Sequence, residues 1–142
     1  MKRQITSKLL LVALFTAAFV TSARAYDADA AQIERGRYLV QNVGMCANCH
    51  SPRGEKGMFI VGQEYTGSPL GFAPTVPMPA WAGEAPLIAG LPNYTKTQAV
   101  HFFMPGERPT GVPVRPPMPE NRFNAADAKA LAAYLKSLTP KS

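Results

Sequence analysis

Groups that do acid–base chemistry are scarce in this chain of 142 residues, which has nine acidic residues, two histidines and two cysteines. No Ser–His–Asp set, carboxylate pair or glycine-rich phosphate loop is arranged in it, so hydrolase chemistry is not expected. The basic residues form no clustered stripe of the kind that binds nucleic acid. Internal repeats are also absent from the sequence, and the length fits one small domain with a modest core.

The N-terminal residues have the pattern of a secretory signal peptide. Three basic residues lie within the first eight positions, the apolar run Leu9–Val20 follows, and Ala23-Arg24-Ala25 fits a small-x-small cleavage site. The run is shorter than the roughly 20 apolar residues of a membrane span, although a retained anchor is the alternative. We therefore expect residues 1–25 to be cleaved on export to the periplasm, which leaves residues 26–142 as one domain without a membrane span.

Cleavage changes the charge of the protein. It removes four of the 15 basic residues and none of the nine acidic ones, so the mature chain carries 11 positive charges against nine negative charges. A protein this close to neutrality can dock to partners of either sign, and the charge alone predicts none of them.

Both cysteines lie in the segment Cys46-Ala47-Asn48-Cys49-His50. C-x-x-C-H is the attachment pattern of c-type haem. Two thiols three positions apart can each form a thioether to one haem vinyl group, and the next residue, His50, then supplies an axial imidazole to the iron. The segment therefore predicts one covalent haem c, bound by Cys46, Cys49 and His50.

Two other chemistries use similar residues. A C-x-x-C pair is also the thiol–disulfide motif of thioredoxin-like proteins, but those place it after a strand in a βαβ unit, and no such pattern surrounds it here. Zinc could be held by Cys46, Cys49 and His50, with His101 as a fourth ligand. Zinc sites more often use two separated ligand pairs, and the adjacent Cys49 and His50 would chelate one metal awkwardly, so haem is favoured.

The remaining sequence predicts a helix, a long loop and a helix. The first helix is expected over about residues 30–43, where Gly36 costs about 1 kcal/mol relative to alanine and so suggests close approach by another backbone. Gly44 is the expected C-cap. Residues 52–119 hold 13 of the 14 prolines and nine of the 11 glycines, so regular structure is not expected to persist there. This segment is too apolar for a solvated linker, and we expect it to wrap a large apolar group.

Two further helices are expected. Thr95 is a good N-cap for a short helix over residues 97–104, which Pro105-Gly106 would stop. Asn124 caps the last helix, in which Asp127 lies near the positive end of the helix dipole. The apolar residues of this helix recur at helical spacing and predict one buried face; they are Leu131, Tyr134, Leu135 and Leu138.

Together these features resemble a small class I cytochrome c. In that family an N-terminal helix leads into C-x-x-C-H, and a C-terminal helix crosses it where a glycine meets an aromatic residue, positions that Gly36 and Tyr134 match. The resemblance covers residues 30–138 and implies an all-α fold, in which the crossing end helices, one short helix and the long Pro/Gly-rich loop surround one covalent haem. Residues 115–138 also resemble the single-haem domains associated with bacterial periplasmic dehydrogenases.

The same resemblance implies a second axial ligand. In the family it is a methionine in an irregular loop shortly before the last helix, a position that Met118 matches within Pro116-Pro117-Met118-Pro119. Prolines on both sides stiffen this loop, which favours a weak thioether–iron bond, and Met/His is a common haem c pairing. Met78 is the rival because it is also flanked by prolines, with His101 or an open site behind it. The expected iron ligands are therefore His50 and Met118.

Four more residues have two open interpretations. Tyr65 and Trp81 can contact the haem propionates by their polar tips or can pack as core aromatics. Arg53 and Arg115 can neutralise the propionates or can remain solvated. The sequence does not assign the group that accepts the His50 ring proton.

Two classes of function follow. The first is a non-enzymatic carrier that passes single electrons, in the periplasm, from a dehydrogenase-type donor to a respiratory acceptor such as an oxidase or another cytochrome. With His50 and Met118 both bound, the iron has no open position and only electrons pass. The second is a haem enzyme or gas-binding sensor, which needs an open or labile sixth iron site and a distal acid–base group, for which His101 is the only candidate.

Overall fold

The computed structural model describes residues 29–104 and 111–139 of the chain. The chain divides into two units, Met1–Ala31 and Gln32–Ser142, and the site described below lies wholly in the second. The predicted signal-peptide cleavage and the predicted stop after the short helix lie outside the described residues. Within the described ranges, no helix is long and apolar enough to cross a membrane.

Four helices and one two-stranded sheet make up the described part of the chain, which confirms the all-α expectation apart from the sheet. Helix α1 covers residues 29–38 and continues as a π-helical turn, Leu39–Val43; α2 is Ala47–His50, α3 is Lys96–Phe103, and α4 is Ala125–Ser137. Strands β1, Ser68–Pro69, and β2, Glu84–Ala85, pair antiparallel, with Ser68 opposite Ala85. The connecting loops hold most of the prolines, as the composition predicts.

Helix α1 ends in a π-helical turn rather than in the predicted α-helical one. The N–H of Gly44 donates to the Leu39 carbonyl at 2.7 Å, five residues back, so this turn holds one residue more than an α-helical turn. Gly44 caps the helix as predicted, but its backbone is right-handed (φ −80°), and Met45 takes the left-handed conformation (φ 45°) that leads into α2. The lack of a side chain at Gly44 still matters, because a Cβ would lie 3.1 Å from Cys46 Sγ.

Helices α1 and α4 cross where Gly36 meets α4, as predicted. A Cβ at Gly36 would lie 2.6 Å from the Ala130 carbonyl carbon and 2.7 Å from Tyr134 Cβ, so the crossing has no room for a side chain. Beside the crossing, Gln41 Nε2 donates to the Tyr134 hydroxyl at 3.2 Å. The two helices are therefore held together by direct backbone approach and by one polar contact next to it.

The two later helices begin at the predicted caps. The Thr95 and Gln98 side chains each accept a hydrogen bond from the other's backbone N–H, at 3.2 and 2.9 Å, and form a capping box for α3. At the start of α4, Asn124 Oδ1 accepts from the Asp127 N–H at 2.9 Å. The buried face of α4 contains three of the four predicted residues; these are Leu131, Tyr134 and Leu135, whereas Leu138 is the half-buried C-cap.

The core joins the π-helical turn to α3 and α4. Leu39 and Val40 from the turn belong to one buried cluster with Ala99 and Phe103 of α3 and with the buried face of α4. Full burial of a large apolar side chain contributes on the order of 1.5–3 kcal/mol. This cluster therefore holds together elements that lie on either side of the long loop in sequence.

We predict that Gly36→Ala destabilises the protein by about 1–3 kcal/mol, the usual cost of forcing an extra carbon into a packed contact. The added methyl must push α1 away from α4, which outweighs a gain of about 1 kcal/mol in helix propensity. Denaturant unfolding measures the change. Gly71→Ala is the control, because no atom lies within 4 Å of a Cβ at that position. Equal stability of the Gly36 variant and wild type would contradict the close crossing.

Candidate functional site

Helix α2 places the predicted attachment residues on one helical turn. Cys46 is its N-cap, Cys49 lies three residues on, and His50 donates its backbone N–H to the Cys46 carbonyl at 2.9 Å. Both cysteines are half-buried free thiols, and Cys46 packs against the apolar core. The turn therefore brings two thiols and one imidazole together beside the core.

Burial raises the pKa of the Cys46 thiol to about 11. Redox-active cysteines of C-x-x-C motifs have the opposite property, since their pKa is lowered so that thiolate forms at neutral pH. The surroundings of Cys46 therefore disfavour the thiol–disulfide interpretation. They suit a thiol that reacts once, by covalent attachment, and afterwards packs as an apolar group.

His50 is buried, with 7% of its surface exposed, and its ring is fixed by a hydrogen bond. The ring Nδ1 lies 2.7 Å from the Pro86 carbonyl oxygen. A carbonyl only accepts, so Nδ1 carries the proton and Nε2 is left as the nitrogen that can bind a metal. Burial lowers the pKa of His50, which keeps the ring neutral. Sequence reasoning cannot identify this acceptor, because Pro86 is 36 residues away and carries no signal for the role.

Gly67 lets Pro86 approach His50. Its N–H donates to the His50 carbonyl at 2.9 Å, and its backbone is left-handed (φ 96°). A Cβ here would lie 2.9 Å from Leu87 N and 3.1 Å from the Pro86 carbonyl carbon, so a side chain would push the Pro86 segment away. Strand β1 begins directly after Gly67 and β2 ends directly before Pro86, so their pairing keeps the two residues together.

Met118 lies in a loop that is held to a second loop, residues 78–82. The Arg115 guanidinium donates to the Ala80 and Trp81 carbonyls, at 2.9 and 2.7 Å. The Arg115 carbonyl in turn accepts from the Met118 N–H at 3.1 Å, which closes a turn around the two intervening prolines. One arginine thus fixes the loop that contains the predicted second ligand.

Burial separates Met118 from its rivals. Met118 is half-buried, whereas Met78 is 40% exposed, and the other described methionines are exposed as well; they are Met45, Met58 and Met104. An iron-bound thioether lies in the dry interior of a haem site, so burial favours Met118 over Met78. The role of Met118 as the second axial ligand stays a prediction.

The two arginines with open interpretations both hold the protein's own loops. Arg115 joins the two loops just described. Arg53 donates to the Gly57 carbonyl at 2.7 Å, and its guanidinium lies 4.0 Å from the centre of the Phe59 ring. Neither guanidinium is simply solvated, and each has a structural task within the chain.

The two aromatic residues with open interpretations pack within the protein. Trp81 is half-buried and meets Phe72 edge-on, with ring centroids 5.7 Å apart. Tyr65 is 5% exposed, and burial raises the pKa of its hydroxyl to about 12. Tyr65 is therefore a core aromatic that stays neutral over the ordinary pH range.

We predict that part of the protein's stability is lost as the pH rises from 10 to about 12. The pKa of Tyr65 in the fold, about 12, exceeds the ordinary value of 10, so its contribution is complete below pH 10 and is lost as the pH passes 12. Tyr65→Phe cannot ionise, so its unfolding free energy should fall less over this range. Tyr38→Phe, at an exposed ring, is the control and should keep the wild-type pH dependence. The same pH dependence in the Tyr65 variant would exclude the buried phenol as the cause.

The zinc interpretation finds no support in the arrangement of the ligands. His101 is exposed on α3. In the described part of the chain, no three His, Cys, Asp or Glu side chains group in a way that could hold a metal ion, so the predicted zinc set is not assembled. Two thiols and a neutral imidazole on one turn beside an apolar cluster are the donor set that covalent haem needs.

Comparison with known proteins agrees with this donor set. The family model described as Cytochrome c matches residues 33–139, a range that runs from α1 to the end of α4 and includes every residue of the site. No curated protein matches the chain. The family match adds to the motif, because it requires the helices and loops to follow in the same order.

Proposed function

The chain belongs to the cytochrome c family, and we propose that it carries single electrons in the periplasm, from a dehydrogenase-type donor to a respiratory acceptor. The cofactor of the family is covalently bound haem c, which supplies a one-electron redox centre when bound. Members generally transfer electrons rather than convert substrates, and we extend this property to the chain as a carrier without enzymatic activity.

The geometry of His50 carries the proposal. The Pro86 carbonyl fixes the ring in one tautomer, and burial keeps it neutral, so Nε2 is ready to bind iron in a single orientation. Cys46 and Cys49, on the same turn, would hold the haem by two thioethers. A ligand and two anchors that need no rearrangement favour a rigid site, as electron transfer with little reorganisation requires.

The second axial position decides between a carrier and a haem enzyme. Met118 would fill it, from a loop stiffened by prolines and fixed by Arg115. If the protein fills both positions, water and peroxide cannot reach the iron and only electrons pass. The alternative, a haem enzyme or gas-binding sensor, needs a distal acid–base group, and its sequence candidate, His101, is exposed on α3.

Location and partners are proposed from the sequence. The signal-peptide pattern of residues 1–25 supports export, and residues 115–138 resemble the haem domains associated with periplasmic dehydrogenases. An oxidase or another cytochrome would then accept the electron. The nearly neutral mature chain suits partners of either charge.

We predict that the protein isolated from the periplasm of an expressing bacterium begins at Tyr26 and contains one covalent haem. Intact-mass spectrometry measures both features, and the haem should remain on the chain after extraction with acidified acetone. Cys46→Ala and Cys49→Ala each leave one thiol and should each form at most a single thioether. A haem-free mature chain with a Cys46–Cys49 disulfide would overturn the cofactor assignment.

Replacement of Met118 by alanine should open the iron to carbon monoxide. We expect Met118→Ala to lose the weak Met–iron charge-transfer band, to lower the reduction potential and to bind carbon monoxide after reduction, because the sixth ligand is gone. Met78→Ala is the matched control and should leave all three properties nearly intact. Visible spectra with and without carbon monoxide, together with a redox titration, measure these properties.

Two results would contradict this ligand assignment. If Met78→Ala does the damage and Met118→Ala does not, Met78 is the ligand. If the wild type already binds carbon monoxide readily, the sixth site is open or labile, and the haem enzyme or sensor becomes the better function.

A further inference from the structure

Residues 65–67, called the strap below, bind the segment that contains the axial histidine. Two hydrogen bonds of 2.9 Å make this connection. Gly67 donates its N–H to the His50 carbonyl, and Tyr65 donates its N–H to the Ser51 hydroxyl oxygen. The strap is therefore fixed to two consecutive residues, one of which is the predicted iron ligand.

The strap also binds the segment that contains Pro86, on both sides of that residue. After Pro86, the N–H groups of Ile88 and Ala89 donate to the Tyr65 carbonyl, at 2.9 and 3.1 Å. Before Pro86, β2 pairs with β1, which follows the strap directly. The contacts thus form a closed ring, from the histidine segment to the strap, from the strap to the Pro86 segment, and from the Pro86 carbonyl back to the His50 ring.

Ser51 and His50 supply the two side-chain contacts in this ring, and the others are between backbone groups. Ser51 is 2% exposed, so its hydroxyl acts away from bulk water. Tyr65 has a left-handed backbone (φ 63°), a conformation that a tyrosine takes only where its surroundings hold it. Loss of the Ser51 hydroxyl would remove one of the two bonds between strap and histidine segment, and would take the acceptor from a buried N–H.

We infer that Ser51 is a positioning residue that tunes the reduction potential of the haem iron through the His50–Pro86 hydrogen bond. The inference rests on the proposed function, because it requires iron on His50 Nε2. A close acceptor on Nδ1 makes the imidazole more basic, which stabilises oxidised iron and lowers the potential. The strap sets how closely the Pro86 carbonyl meets Nδ1, and the Ser51 hydroxyl holds the strap.

The test compares haem-loaded wild type, Ser51→Ala and Ser51→Thr by redox titration and by proton NMR of the His50 Nδ1–H. Ser51→Ala should raise the reduction potential. It should also speed exchange of the Nδ1 proton, relative to backbone amides of α4, by about fivefold, the factor that corresponds to the net loss of one hydrogen bond. Ser51→Thr keeps the hydroxyl and should return both properties toward the wild-type values.

Two further variants sharpen the comparison. Ser137→Ala is the matched control, because the Ser137 hydroxyl also makes one hydrogen bond, to the Tyr134 carbonyl at 2.7 Å within α4, and it should change neither property. Gly67→Ala acts on the acceptor directly, since its Cβ would lie 3.1 Å from the Pro86 carbonyl carbon. It should raise the potential as Ser51→Ala does, and it decides the matter if Ser51→Ala does not accumulate.

An unchanged potential with unchanged Nδ1 exchange in Ser51→Ala would overturn the inference. Faster exchange at His50 that α4 amides match, at the wild-type potential, would overturn it as well, because that pattern marks a merely structural role. Both results leave the proposed function intact. A wild-type protein that contains no haem, or that binds carbon monoxide readily, would instead overturn the proposed function.

Discussion

The hydrogen bond from His50 Nδ1 to the Pro86 carbonyl sets requirements that the surrounding chain must meet. It needs a buried and neutral ring, and it needs a backbone segment 36 residues away to be held against that ring. Gly67 meets the second need by its missing side chain, and β1 and β2 meet it by their register. The small sheet of an otherwise helical fold therefore has a definite role, which is to keep the acceptor in place.

The helices support the same site from farther away. Gly36 brings α1 against α4, and both helices contribute to the cluster on which Cys46 packs. The loop that contains Met118 needs no helix, because Arg115 fixes it to the neighbouring loop through two carbonyls. The proline-rich segment is thus organised by individual hydrogen bonds rather than by regular structure, which agrees with its composition.

Local signals in the sequence predict the features that neighbouring residues decide. Asn124 and Thr95 cap their helices, and Gly36 marks the crossing, because each of these roles depends on one residue type in a periodic segment. The π-helical turn is not predictable in this way, since an α-helical and a π-helical turn share the same apolar pattern over so few residues. The Pro86 acceptor and the Gly67 contact join distant parts of a segment without periodicity, so no sequence pattern indicates them.

The π-helical turn Leu39–Val43 also separates two alignments that a plain α-helix would couple. Each α-helical residue adds a rotation of about 100°, so the face that Gly36 presents to α4 would otherwise dictate the direction in which the chain reaches Cys46. One additional residue in the turn resets that angle without disturbing the crossing. The distance in sequence between crossing and attachment turn can therefore change by single-residue insertion or deletion over evolution, and the turn serves as an adjustable joint in the lineage while it stays fixed in the molecule.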